Sequence, residues 1–412
     1  MIYTIIFVLL LPGQTAPPDS TEITNLGIKK ALELAYQQNP QLRQLEARID
    51  AQKQQEILGL GLRDPRISYF REGIGDGTFS EQRWSVSQQL EFPLTSYYRL
   101  KSEQASTNAL QLRMQGLQLQ LKSDVKKAYT NLAYALQNVR LAEERVQLFR
   151  NLRRAAQARA DIGESSEIDA MQASLQLNEA QNNLGMAKQV IMEARYELFQ
   201  TIGLDPEVQS YGITFPDTLQ YVEVNVDQEE VLNKLPAHPK LQQIAGQQKS
   251  ARYQTKVAKS SYLPDLNFSY YRQDFGGNYD FYGFEVGISL PLWFGANQAR
   301  QVEQSRAVYN EIGSQYHERE LALKREAEQA WHGYLNSRIN ILRFRNTIRA
   351  ESIELVRMTQ QGYRMGELDL LTLLEAQRTY LRTQEAYYQT LRDYYLRIIE
   401  LEQYLQTDLV FK

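Results

Sequence analysis

The sequence predicts a mainly α-helical chain made by tandem duplication of one helix–β-hairpin–long helix–helix unit. Three observations lead to this fold class. Two regions alternate apolar and polar residues with a period of two, as β-strands with one apolar face do. Long stretches elsewhere space their apolar residues by three and four, as coiled-coil helices do. Finally, the hairpins, the proline pairs and the helix turns recur roughly 200 residues apart, which indicates an internal repeat.

The composition excludes several classes of function. The chain has 412 residues, of which 43% are hydrophobic, so it can bury a sizeable core. A net charge of −3 gives no electrostatic basis for binding nucleic acid. Cysteine is absent, which excludes disulfides, thiolate zinc sites, cysteine nucleophiles and a lipid-modified N-terminal cysteine. No apolar run reaches the roughly 18 to 20 residues of a membrane helix.

The N-terminal segment predicts a secretory signal. An apolar run from Ile2 to Leu11 has the length of a signal core and is followed by a plausible cleavage site after Ala16. We therefore expect residues 1–16 to be a signal peptide. The alternative is a frayed apolar N-terminus on a cytoplasmic protein.

The first repeat is predicted over residues 25–206. A helix runs from Asn25 to about Leu60, and Pro65 then opens a β-hairpin over residues 65–93. Two long helices follow, over residues 96–161 and 166–203, with a break at Gly163 between them.

The helix over residues 96–161 is predicted to be a coiled-coil helix about 95 Å long. Apolar residues recur along it with steps of four and three for about four heptads. These residues are Leu121, Val125, Ala128, Leu132, Ala135, Val139, Ala142, Val146 and Phe149.

A linker over residues 207–227 leads to the second repeat, residues 228–407. This repeat is predicted to contain a hairpin over residues 264–291 and long helices over residues 296–364 and 369–407. The number of residues between equivalent positions of the two repeats increases slowly along the chain. Pro264 follows Pro65 by 199 residues, Ala330 follows Ala128 by 202, and Gly366 follows Gly163 by 203.

Each hairpin is predicted to have one apolar and one polar face. In the second hairpin, Tyr282, Phe284, Val286, Ile288 and Leu290 alternate with Phe281, Gly283, Glu285, Gly287 and Ser289. In the first hairpin, Trp84, Val86, Leu90 and Phe92 alternate with Arg83, Ser85, Ser87, Gln89 and Glu91. The apolar faces must be covered by something other than the long, thin helices beside them.

A membrane β-barrel shared between copies of the chain would cover them. Four strands are too few to close a barrel, and an open sheet edge in lipid would leave backbone groups unsatisfied. Aromatic residues crowd the strands and their ends, as in the interfacial girdles of outer-membrane barrels. These residues are Tyr69, Phe70, Phe79, Trp84, Phe92, Tyr270, Tyr271, Phe275, Tyr279, Trp293 and Phe294. The alternative is a soluble α+β protein whose small sheet packs on a helix.

Several motifs that occur in duplicate resemble those of TolC-type outer-membrane efflux proteins. They are the helix starts Asn39-Pro40 and His238-Pro239, the hairpin entries at Pro65 and Pro264, the hairpin exits Phe92-Pro-Leu and Leu290-Pro-Leu, and the helix turns Gly163 with Ala173 and Tyr363-x-x-Gly366 with Leu374-Glu-Ala-Gln377. The resemblance covers essentially the whole chain after the signal segment.

This resemblance implies an architecture and a set of partners. It implies a homotrimer whose chains contribute four strands each to a twelve-stranded barrel in outer-membrane lipid, above an α-helical tunnel in the periplasm. It also implies a periplasmic adaptor and an inner-membrane transporter of the RND or ABC type. The duct itself would be passive. We expect its cargo to be heavy-metal cations or small drugs, and the alternatives are a type I secretion duct or an exported, soluble coiled-coil scaffold.

The resemblance also assigns a gate at the lower end of the tunnel. The matching positions are Asp169, Tyr363 and Glu375, whereas Thr372 stands where the family has a further acid. A ring of like charges at the narrowest point would favour cations and raise the pKa of its carboxyl groups. The alternative for Asp169 is a capping box with Ser166 at a helix N-terminus.

Further candidate sites follow from the same reading. The turns at Gly163 and Gly366 are expected to reverse the chain and to dock the adaptor, the alternative being simple solvated loops. The residues expected to face the barrel lumen are Arg83, Ser85, Ser87, Gln89, Glu91, Asn267, Ser269, Gln273 and Glu285.

Enzyme activity, cofactors and metal sites are not expected. The three histidines, His238, His317 and His332, are scattered without ligand spacing and are interpreted as structural. No phosphate-binding loop or nucleophile–base pair is present in the sequence.

Overall fold

The computed structural model describes residues 25–61, 63–73, 81–205, 214–216, 218–275, 280–290 and 295–411. The expected signal peptide, the turns of both hairpins, and Phe79, Tyr279, Trp293 and Phe294 lie outside these ranges.

The first repeat contains four helices and two strands within the described residues. They are α1 (Ile28–Gln38), α2 (Pro40–Leu58), β1 (Arg66–Glu72), β2 (Glu81–Leu90), α3 (Pro93–Asp161) and α4 (Glu167–Ile202). The helix expected from Asn25 to Leu60 is therefore two helices. Pro40 cannot continue the first helix and occupies the first turn of the second, where Asn39 caps it by accepting the N–H of Gln41 at 2.9 Å.

The second repeat follows the same order, with a short 3₁₀ turn added before its second helix. Its elements are α5 (Gln228–Lys234), a short 3₁₀ turn (Leu235–Ala237), α6 (Pro239–Ser260), β3 (Asp265–Asp274), β4 (Asp280–Ser289), α7 (Gln298–Arg343), α8 (Arg349–Met365) and α9 (Leu370–Leu405). The helix expected over residues 296–364 is interrupted. A π-helical turn, Phe344–Ile348, separates α7 from α8.

The long helices differ slightly from their predicted bounds. The first begins at Pro93 rather than Ser96, because proline is well tolerated in the first turn of a helix. The last ends at Leu405, where Gln406 adopts a left-handed conformation with φ 55°. Between the repeats, the described linker residues form no helix or strand of their own. Thr214 makes a single parallel bridge with Asn25.

The two hairpins form one antiparallel sheet in the order β1-β2-β3-β4. The predicted strands are present, and the pairing of β2 with β3 joins the two repeats. A mainly helical chain with four strands among its described residues confirms the predicted fold class.

The helices pack side by side in a fixed order, both near the sheet and away from it. Near the sheet, α2 packs against α3, α3 against α6, and α6 against α7. Away from the sheet, α4 packs against α3, α3 against α9, and α9 against α8. In each layer, elements of the first repeat form one side and elements of the second repeat form the other.

A buried ion-pair network fastens the C-terminal segment to the middle of α3. Lys126 is fully buried and donates to Glu402 at 2.6 Å, to Asp408 at 2.7 Å and to the carbonyl of Val410 at 3.0 Å. Glu402 also accepts the N–H of Leu409 at 2.6 Å. All three ammonium donors are therefore satisfied. Removing one partner of such a network typically costs about 3–5 kcal/mol, so it holds the second repeat against the first.

Candidate functional site

The register of the sheet brings the expected lumen residues onto one surface, which we call the polar face. Ser85 is opposite Tyr271, Ser269 is opposite Glu285, and Arg83 is opposite Gln273. Hydrogen bonds run across this face. They join Ser68 to Ser85 at 2.7 Å, Gln89 to Asp265 at 3.2 Å, Ser269 to Glu285 at 3.3 Å, and Gln273 to Glu81. Asn267 lies on the same face, between Gln89 and Gly287.

Glu91 occupies a different setting from the other expected lumen residues. It lies just beyond β2, and its carboxylate is 2.7 Å from the Arg99 guanidinium and 3.5 Å from that of Arg63. Its side chain is only 13% exposed. The pairs join the base of the first hairpin to the start of α3, so Glu91 anchors the sheet to the helices.

Tyr271 belongs to the polar face, although the sequence grouped it with the girdle aromatics. Its ring covers Gly283 on β4, where a Cβ atom would lie 2.6 Å from the tyrosine side chain. The Arg83 guanidinium stacks on the same ring at 5.4 Å from its centroid. Only the strand register, which shows that Tyr271 faces Gly283, reveals this packing.

The opposite surface, the apolar face, is graded along the strands. At the end near the helices, Leu90, Leu266 and Ile288 form one cross-strand row. Further rows follow toward the hairpin turns. They are Gln88, Phe268 and Val286; Ile67, Val86, Tyr270 and Phe284; Tyr69, Trp84, Arg272 and Tyr282; and a last row that includes Arg71, Gln82 and Asp274.

The apolar face is open to its surroundings in a single chain. Phe284 is 79% exposed and Val286 is 67% exposed. The distance from Leu90 to Trp84 is about 20 Å along an extended strand. An apolar band ending in aromatic and then charged residues is typical of the lipid-facing surface of an outer-membrane barrel.

Neither edge of the sheet has a partner within the described residues, because β1 pairs only with β2 and β4 only with β3. Two helices are similarly open. The exposed apolar residues of α4 lie along one face and are Ile168, Met171, Leu175, Met186 and Val190. Those of α8 are Ile353, Leu355, Met358 and Met365.

The two turns that reverse the long helices have the same backbone design. Gly163 and Gly366 adopt left-handed conformations with φ 79° and 78°, which favour glycine. The N–H of Glu164 bonds to the carbonyl of Arg159 at 2.9 Å, and the N–H of Glu367 repeats this bond to Gly362 at 2.9 Å.

The helices that follow these turns are capped in equivalent ways. The hydroxyl of Ser166 accepts the N–H of Asp169 at 3.3 Å, and the carboxylate of Asp369 accepts the N–H of Thr372 at 2.8 Å. The hydrogen bonds from Thr372 hold the pKa of Asp369 below its usual value. Asp169 and Thr372 are therefore equivalent positions, so Thr372 marks where the second repeat lacks the acid that the first repeat has. Sequence reasoning missed Asp369, which supplies an acid three residues earlier.

The three expected gate residues lie near the helix turns on three different helices. Tyr363 is half-buried against the apolar cluster formed by α3, α4 and α9, and the Arg159 guanidinium lies 5.1 Å from its ring centroid. Glu375 is exposed and pairs with Arg378 at 3.8 Å. Within the described part of one chain, no hydrogen bond or ion pair joins Asp169, Tyr363 and Glu375.

Glu375 also lines a charged groove between α3, α4 and α9. The groove has a volume of about 410 Å³, and Arg145 and Glu385 form an ion pair across it at 2.7 Å. Its lining is mostly charged and polar, so it has little apolar surface for a drug-like ligand.

The histidines have separate structural surroundings. His238 caps α6, His317 is 3.4 Å from Glu320 on the surface of α7, and His332 packs beside Trp331. Across the described residues, no three histidine, aspartate and glutamate side chains are grouped as a metal ion would require. None of the helices described is both long enough and apolar enough to cross a bilayer.

Comparison with known proteins supports the predicted resemblance. Residues 233–406 match the family model for outer membrane efflux proteins. The chain is 25% identical to CyaE of Bordetella pertussis over 315 residues, which cover 71% of this chain and 65% of CyaE. It thus spans slightly less than two thirds of that relative's length.

Solved channel structures share the fold over almost the full chain. The outer-membrane channel OprN superposes with a TM-score of 0.77 at 18% identity, covering 92% of this chain and 89% of OprN. The open state of the Neisseria gonorrhoeae MtrE outer membrane channel gives a TM-score of 0.75 at 17% identity, covering 94% and 93%. The likeness to outer-membrane efflux proteins inferred from the duplicated motifs is confirmed.

Proposed function

We propose that this chain, whose second repeat matches the outer membrane efflux protein family, is one subunit of a passive exit channel of a tripartite efflux system. The observation that carries the proposal is the four-stranded sheet. Its apolar face is exposed, its other face is polar, and both of its edges are open. These properties fit a segment of a lipid-embedded barrel with a water-filled interior.

The lateral order of the elements favours head-to-tail joining of copies. One side of the chain consists of β1, α2 and α4, and the other consists of β4, α7 and α8. These sides differ, so pairing β4 with β1 of the next copy is a heterologous contact, which closes into a ring when the rotation is suitable. The same step places α8 beside α4 of the next copy, where the exposed apolar faces of both helices would be covered.

Three copies give the twelve strands that the family resemblance implies. In this arrangement the polar face lines the lumen and the apolar face contacts outer-membrane lipid. The strand ends farthest from the helices lie toward the exterior, because the helices leave the opposite end of the sheet and would extend into the periplasm.

The lower end of the helices is the proposed gate and docking region. Asp169, Tyr363 and Glu375 would each occur three times around the axis. The turns at Gly163 and Gly366 expose Ile162 and Met365, with exposures of 69% and 72%. These apolar tips would dock a periplasmic adaptor, through which an inner-membrane transporter of the RND or ABC type supplies the energy.

The proposed cargo is heavy-metal cations or small drugs that pass through the polar lumen without binding a dedicated site. A type I secretion duct would use the same barrel with a different transporter. An exported soluble scaffold would leave the graded apolar face in water, which is unfavourable by about 25 cal/mol per Å².

Membrane fractionation and bilayer recordings together test the proposal. We expect the expressed protein to stay in the outer-membrane fraction after a carbonate wash, to be released by detergent, and to produce steady ion conductance in planar bilayers. Release by carbonate alone, without conductance, would identify the scaffold and refute the channel.

A further inference from the structure

The interruption between α7 and α8 has no counterpart in the first repeat. The π-helical turn Phe344–Ile348 separates these two helices, whereas α3 runs through the equivalent level without a break for 69 residues. The difference therefore comes from the sequence of the second repeat.

A single inserted residue accounts for the turn. Above the turn, the buried residues Leu132 and Tyr334 are equivalent and are separated by 202 residues. Below it, the left-handed caps Gly163 and Gly366 are separated by 203. One extra residue thus enters between Tyr334 and Gly366. A π turn, with its i→i+5 bonds, absorbs that residue while both flanking helices keep their faces in place.

Below the turn, α8 is held by weaker packing than the corresponding part of α3. The buried residues of α8 are small or polar, namely Ser352, Thr359 and Gly362. The first two correspond to Phe149 and Ala156 of α3, which are buried in an apolar cluster. Burying a large apolar side chain contributes about 1.5–3 kcal/mol, so α8 is expected to open locally more easily than α3.

Two arginines hold the turn by polar contacts. The Arg345 guanidinium lies 4.7 Å from the ring centroid of Tyr221 in the linker. The Arg349 guanidinium lies 4.6 Å from that of Tyr387 on α9, and its Nε donates to Gln384 at 3.1 Å. Such contacts are directional and individually weak, so they can break and re-form.

We propose that the π turn Phe344–Ile348 is a hinge about which α8 moves, and that Arg349 is the positioning residue that holds α8 against α9. The moving arm carries Tyr363 and the Gly366 turn, whereas the uninterrupted α3 is the fixed arm. The consequence for gating depends on the proposed channel function. The hinge itself is a property of the folded chain.

Hydrogen exchange measured by mass spectrometry on the full-length protein tests the hinge directly. We expect amides of residues 349–365 to exchange at least about tenfold faster than those of the equivalent residues 146–162. Deleting Asn346 should restore a continuous helix and slow exchange in residues 349–365 severalfold. Equal exchange of the two segments, or no change on deletion, would overturn the proposal.

A pair of point variants keeps the test decisive if the deletion variant does not fold. Arg349→Gln should speed exchange of residues 349–365 severalfold, whereas Arg343→Gln, which changes the exposed arginine directly before the π turn, should not. Equal effects of the two substitutions would contradict the role of Arg349.

Bilayer recordings of the same variants separate the hinge from the channel proposal. If the protein conducts but the two segments exchange equally, the hinge is wrong and the channel stands. If exchange is asymmetric but no conductance appears, the channel is wrong and the hinge stands. When both hold, deleting Asn346 should lower the open probability severalfold relative to the unmodified protein.

Discussion

His238 and Asn39 occupy equivalent positions in the two repeats, but only the histidine can titrate. Nδ1 of His238 accepts the N–H of Lys240 at 3.2 Å, as the Asn39 side chain accepts that of Gln41 at 2.9 Å. His238 is 2% exposed. Burial, with smaller contributions from nearby Lys240 and Arg319, lowers the pKa of His238 to about 4. The cap therefore requires the neutral ring.

This capping predicts acid sensitivity that one substitution removes. Below pH 6.5 the unfolded chain protonates His238, whereas the folded chain does not do so until about pH 4. The free energy of unfolding should therefore fall by up to about 3 kcal/mol as pH decreases across that window. His238→Asn should retain the cap and lose this part of the pH dependence, measured by denaturant unfolding from pH 7 to 4. Identical pH profiles for the two proteins would contradict the assignment.

The contact between Tyr271 and Gly283 predicts that adding a side chain at Gly283 destabilises the sheet, whereas adding one at the neighbouring Gly287 does not. Gly283→Ala places a Cβ 2.6 Å from the tyrosine and should destabilise the sheet by about 1–3 kcal/mol. Gly287→Ala meets its nearest neighbour, the Asn267 side chain, at 3.8 Å and should be tolerated. The thermal midpoint of the protein in detergent measures both effects. Equal midpoints for the two variants would show that Tyr271 does not restrict Gly283.

At the scale of helices and turns, the proposed gate differs between the repeats because Asp169 has no acidic counterpart at Thr372. We expect Asp169→Ala combined with Glu375→Ala to raise single-channel conductance in planar bilayers, because the substitutions remove six carboxylates from the lower end of a trimer. Glu354→Ala is the control, since Glu354 is an exposed acid on α8 that pairs with Arg357. Unchanged conductance of the double variant would remove the gate assignment.

Local patterns predicted the elements well where one rule governs them. The period-two alternation around Trp84 and Phe284 identified strands, and the heptads from Leu121 to Phe149 identified the long helix, because burial on one face imposes both patterns. The break at Pro40 was missed because the apolar spacing continues through it, and the prediction followed that spacing rather than the proline.

Other features depend on contacts between distant segments. Pairing of β2 with β3 joins residues more than 175 apart, and the partners of Lys126 lie more than 270 residues from it, so no local period encodes these contacts. The π turn was visible in principle as the change in repeat separation from 202 to 203. The gate residues came from family resemblance alone, and their joint role in the assembled channel remains a prediction.

The whole molecule is a strip with two different sides. In each layer of the strip, one element without a neighbour among the described residues lies at each side. The sheet ends in β1 and β4, the helices near it end in α2 and α7, and the helices below end in α4 and α8. The duplication explains this shape. Each repeat supplies half of every layer, so in the proposed ring the outer side of one repeat would meet the outer side of the other on the next copy.

Disulfide cross-linking between α4 and α8 tests head-to-tail closure most directly, and the absence of native cysteine makes it unambiguous. Leu175 and Met358 lie on the two exposed helix faces, each about 11 Å from its helix turn at about 1.5 Å per residue. We predict that the double variant Leu175→Cys/Met358→Cys, oxidised in outer membranes, yields a covalent trimer, whereas neither single variant cross-links. A double variant that stays monomeric, or a single variant that forms covalent dimers, would contradict the ring.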